Sequence, residues 1–126
     1  MLFIGFQARS PQIAAASRLV SLNWAYTLQL WMVADGVVLA VSYASVDAAT
    51  ALALYRMSQR QWFPAPLVFL HAFLALYNLY TAFLDPNNYW IVLALNRIFE
   101  IEIFYVAGCG LYRITAMRRP GVKAPE

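Results

Sequence analysis

Residues 19–55 read LVSLNWAYTLQLWMVADGVVLAVSYASVDAATALALY, 37 residues in which Asp35 and Asp47 are the only charges. A helix that crosses a bilayer needs about 20 predominantly apolar residues, so this run is nearly twice one span. Asp35-Gly36 near its middle is a turn signal, because glycine reaches the positive φ that interrupts a helix without steric penalty. The stretch therefore predicts two hairpinned spans, at 11–34 and 37–55. Ser10 would be the N-cap of the first and Pro11 its first helical residue.

Downstream, Arg56 to Phe63 begins polar and basic and ends in Trp62 and Phe63, an interfacial composition. Pro64 and Pro66 suit the first turn of a helix rather than its interior, which opens a third span at 64–84. Asp85-Pro86-Asn87-Asn88 has turn chemistry, and a fourth span follows at 89–112. The remainder, 113–126, is a basic tail with Pro120, Gly121 and Pro125.

Basic residues test this count independently, since Arg and Lys are retained on the cytoplasmic side of a membrane. With four spans, Arg9 and Arg18, then Arg56 and Arg60, then Arg113, Arg118, Arg119 and Lys123 share one side, and Asp35 and Asp85 lie opposite. One long helix over 19–55 would put the basic amino terminus and the basic loop on opposite sides. The expectation is an all-α integral membrane protein. It is a four-transmembrane-helix bundle, one domain over 1–126, with both termini on the cytoplasmic or matrix side.

Composition agrees, with 63% hydrophobic and 12% charged residues, against about 25% charged in soluble domains. The net charge of +3 resides beside apolar segments, where it sets orientation, and is not a nucleic-acid footprint. Cys109 is the single cysteine and allows no intramolecular disulfide. The amino-terminal segment, basic and free of acidic residues before Asp35, fits either a mitochondrial presequence or a bacterial cytoplasmic leader. A bacterial or mitochondrial inner membrane is the expected location.

Ionisable groups at membrane depth mark function by default. Counting 1.5 Å per helical residue, Asp47 lies about 13 Å from Arg56, His71 about 12 Å from Phe63, Glu102 about 16 Å from Arg113, and Gln29 about 16 Å from Arg18. These four predict one buried polar layer, for packing or for ion or proton movement. By the same count Asn78, Asn96, Arg97 and Glu100 form a second layer nearer the far side. His71, Asn78 and Asp85 recur every seven residues and make a polar seam along the third span. In the fourth span Asn96, Arg97, Glu100, Phe104 and Gly108 share one face, while Glu102, Cys109 and Arg113 point the other way.

No nucleophile–base arrangement, phosphate-binding glycine loop or H-E-x-x-H motif occurs, so catalysis is not expected and no metal ligand set is predicted. As the one histidine, His71 excludes two-histidine haem ligation within the chain; it is expected to be a hydrogen-bonded packing histidine with no cofactor, a pigment or haem shared with another subunit being the alternative, and lipid is the expected small-molecule neighbour. The first span lacks the early membrane glutamate of small four-span multidrug exporters.

The expected function is that of a non-enzymatic accessory subunit of a larger respiratory or photosynthetic membrane complex, its polar and aromatic faces meeting other embedded subunits. One alternative is a small proton- or cation-coupled transporter or channel, acting as a homo-oligomer through Asp47, His71 and Glu102. A second is a phage holin-like pore former.

Overall fold

The computed structural model describes residues 10–59, 62–84 and 89–117, with backbone alone at 89–94, 96 and 117. Four helices run through it: α1 (Pro11–Val33), α2 (Gly36–Ser58), α3 (Ala65–Leu84) and α4 (Tyr89–Met117). The expected turn at 85–88, the basic tail beyond 117, and Arg9 and Arg60 lie outside the described residues.

Local chemistry fixes the helix ends. Ser10 caps α1, its Oγ accepting from the Ile13 amide at 3.4 Å, with Pro11 at the first position where no amide is needed. Ala34 is extended (φ −133°, ψ 156°) and closes the helix by donating to the Leu30 carbonyl. Two residues on, Gly36 takes φ +51°, a conformation natural to glycine, and α2 starts there. The loop before α3 is tied by the Ala65 amide donating to Trp62 O and the Val68 amide to Pro64 O, each at 3.0 Å.

Two helices run longer than their apolar composition predicts. α2 continues past Tyr55 to Ser58, and α4 continues past Tyr112 to Met117, so Arg113 lies inside the helix. Hydropathy marks where a helix leaves the apolar layer, whereas i→i−4 hydrogen bonding goes on until the chain is capped or broken.

Consecutive helices pack as neighbours. The contact between α2 and α3 is the most extensive, α1 lies against α2 and α4, and α3 touches α4 sparsely. A buried apolar cluster of Ile13, Ala16, Val20, Leu54, Phe63, Leu67 and Val106 joins all four helices. It sits toward the end carrying Arg18 and Arg56. Beyond Asn23 in α1, before Ala44 in α2 and beyond Leu74 in α3, no described residue is fully buried. Among the described side chains of α1, α2 and α3, full burial is therefore confined to the half of the bundle nearer Arg56.

α2 and α3 are each long and apolar enough to cross a membrane, and only 28% and 17% of their apolar stretches are buried. Core helices of a soluble protein hide such surface. Here Trp31, Phe69, Phe83 and Phe104 are each more than 70% exposed. Burial of apolar area stabilises by about 25 cal/mol per Å², so surface on this scale is costly to leave in water.

Candidate functional site

Each helix sends a polar side chain to one buried point midway along the bundle. Asn23 and Asp47 stand 24 residues apart, as do Asp47 and His71, so folding the chain about Asp35 and again about Gln59 brings the three to one level. Glu102 reaches the same level from α4. His71 and Glu102 are fully buried, Asn23, Asp47 and Thr50 nearly so.

Asp47 is the hub. Its Oδ1 accepts from Asn23 Nδ2 at 2.9 Å and lies 3.2 Å from His71 Nδ1, while Oδ2 accepts from Asn78 Nδ2 at 3.0 Å. Asn23 Nδ2 also donates to Thr50 Oγ1 at 3.0 Å, and Thr50 in turn donates to the Val46 carbonyl at 2.9 Å. Thr27 donates to Asn23 Oδ1 at 3.4 Å. A buried carboxylate is stable only when such donors replace its water.

On the other edge of the imidazole, His71 Nε2 faces Glu102 Oε1 at 3.4 Å. Neither Glu102 oxygen has a hydrogen-bond partner, in contrast to the well-solvated Asp47. The result is a carboxylate–imidazole–carboxylate series contributed by α2, α3 and α4. A neutral imidazole has one N–H, so whichever carboxylate it does not serve must itself hold a proton to bond the bare nitrogen. An imidazolium serves both. The arrangement thus holds its charge balance through proton position, and a proton accepted at one ring nitrogen can be released from the other.

The geometry is poor for metal binding, because Asp47 and Glu102 approach opposite nitrogens and cannot converge on one ion. No group of three His, Cys, Asp or Glu side chains that could hold a metal occurs among the described residues. Both nitrogens of His71 face carboxylates, which leaves no lone pair directed at a haem iron or pigment magnesium.

Of the first expected layer, Asp47, His71 and Glu102 are brought together, and Gln29 is not. It is exposed on α1, and Asn23 stands in its place. Of the second layer, Asn78 reaches back to Asp47, because side chains on a helix lean toward its amino terminus. Arg97 and Glu100 pair with each other on the outer surface of α4, 63% and 52% exposed, and the Asn96 side chain lies outside the described residues. Asn23 and Thr50 are the participants the depth count misses. Reflection of Asp47 across the Asp35 turn points straight to Asn23.

No protein family, curated protein or solved structure matches the chain.

Proposed function

We propose that this chain is a four-span membrane protein that carries protons through the Asp47–His71–Glu102 chain, acting as a small proton-coupled transporter or channel. The observation that carries the reading is one imidazole held between two buried carboxylates, 3.2 Å from one and 3.4 Å from the other. All three groups are buried, and ionisable groups at membrane depth mark function by default.

Several features support four spans. The connection between α1 and α2 is two residues, and Asn23 bonds Asp47 halfway along, so α1 must lie beside α2 at whatever depth α2 occupies. The 23 residues of α1 and 29 of α4 extend about 35 and 44 Å, against a hydrocarbon core of about 30 Å. Asn23 and Glu102, which lower the hydropathy of these two helices, are turned inward. Arg18, Arg56 and Arg113 gather at one end, which the retention of basic residues assigns to the cytoplasm or matrix, with both termini there.

Purified protein in vesicles loaded with a pH-sensitive dye tests the reading. An imposed potential should acidify or alkalinise the lumen faster than in empty vesicles, and His71→Ala and Glu102→Gln should each lower that rate at least tenfold while circular dichroism stays helical. Flux equal to that of empty vesicles, or unchanged in both variants, overturns it.

A second reading, an accessory subunit of a larger membrane complex, is favoured by the outer face of α4. Arg97, Ile101, Phe104, Gly108, Leu111 and Thr115 recur at alternating spacings of four and three and are all exposed, with the Arg97–Glu100 pair among them. Such a seam suits a partner helix, and an ion pair at membrane depth is better covered by protein than by lipid. Native mass spectrometry after mild extraction distinguishes the two, since this reading requires stoichiometric larger subunits.

A further inference from the structure

Between α1 and α2, on the outward side of the bundle, lies an open groove of about 410 Å³. Leu22, Val46 and Ala49 form its walls and the ring of Tyr26 its rim, and Asn23 and Thr50 lie at its floor. Those two floor residues are not ordinary lining. Asn23 Nδ2 is bonded at once to Thr50 Oγ1 and to Asp47 Oδ1, so the groove ends one hydrogen bond from the hub carboxylate.

The groove is open to the outside and its lining is mainly apolar. Its walls would hold an apolar body entering sideways from the bilayer. Charge decides what else the occupant carries. The ionisable groups facing this end of the cluster are Asp47, with Glu102 behind His71, and the groove lining itself carries no cationic side chain. At the floor the Asn23 carbonyl and Thr50 hydroxyl oxygens each accept one hydrogen bond and keep a second lone pair, and Tyr26, exposed in the lining, adds an aromatic ring of the kind that attracts cations. An anionic headgroup would find no cationic side chain in the lining.

We infer that the groove between α1 and α2 binds a lipophilic cation from the membrane, an apolar body with one positive centre drawn toward Asp47 through Asn23 and Thr50. This rests on the proton-transport reading and gives it a substrate class: Asp47 belongs both to the relay and to the floor of the groove, so cation and proton draw on the same carboxylate.

Two tetraphenyl ions of nearly one size and shape test it. Full-length protein in lipid nanodiscs should bind tetraphenylphosphonium saturably above the partitioning measured with empty nanodiscs, and should not bind tetraphenylborate. Ala49→Trp, which fills the groove from an exposed position, should weaken phosphonium binding at least tenfold, and Asp47→Asn should do so without filling anything. Equal binding of both ions, or phosphonium binding no greater than to empty nanodiscs, overturns the inference. The vesicle assay separates the two proposals: proton flux that depends on His71, in a protein that fails to bind phosphonium, removes the groove and leaves the relay standing.

Discussion

At the scale of the residue, what distinguishes the cluster is how unevenly its members are satisfied. Asp47 collects donors from α1 and α3, and its Oδ2 takes Asn78. Replacing Asn78 by Ala strips that oxygen of its donor while leaving it buried, which costs about 1–3 kcal/mol. Gln29→Ala, on the exposed side of α1, should stay within about 0.5 kcal/mol. Denaturant titration in micelles, followed by circular dichroism, compares them; equal costs would mean that the Asn78 bond to Asp47 does not form. The contrast also shows where sequence reasoning reached its limit. Depth counted from Arg18 overshoots, because Arg18 is already two turns inside α1, and one helical residue in place of another changes the face as well as the level. Asp47, His71 and Glu102 were legible because Arg56, Phe63 and Arg113, from which they were counted, lie within about a turn of the end of the helix concerned, and because charge at depth is rare.

At the scale of the element, the decisive feature is a break of two residues in an apolar run. Asp35-Gly36 was readable because only one residue type adopts φ +51° without cost, and Pro11 at the start of α1 and Pro64 just before α3 were readable because they lack an amide hydrogen. The carboxyl ends of α2 and α4 were not, since nothing in their composition stops a helix where the apolar stretch ends. A Cβ built on Gly36 meets no atom within 4 Å, so any penalty at this position is conformational and not steric. Gly36→Ala should therefore destabilise the protein by about 1–2 kcal/mol. Gly36→Asn should lose less, because asparagine tolerates this region. Unfolding midpoints of the two variants against wild type provide the check, and an unchanged midpoint for Gly36→Ala would show that α1 and α2 can join without a left-handed residue.

At the scale of the whole molecule, packing and charge are polarised along the same axis. The more buried half, with Leu54, Leu67, Val20 and Val106 almost wholly buried, is the half that ends in Arg18 and Arg56. Among the described side chains of α1, α2 and α3 the less buried half ends at Asp35, and the polar cluster lies on the boundary between them. On the proposed proton-transport reading, with basic residues facing the cytoplasm or matrix, the polar cluster would be closed on that side and approached from the other, and transport would require a second state in which the apolar cluster parts. Cysteine labelling fixes the axis. In a Cys109→Ser background, Asp35→Cys and Gln59→Cys should react with a membrane-impermeant maleimide from opposite sides of sealed vesicles, Gln59→Cys from the cytoplasmic one. Thr81→Cys, half-buried one turn beyond Asn78, should react with a small polar thiosulfonate from the Asp35 side. Labelling of Asp35→Cys and Gln59→Cys from the same side would mean that α2 does not cross the membrane. Its bond from Asp47 to Asn23 and its packing on α3 would then keep those helices out of the membrane as well, and the buried carboxylates would have to be explained as packing on a membrane surface.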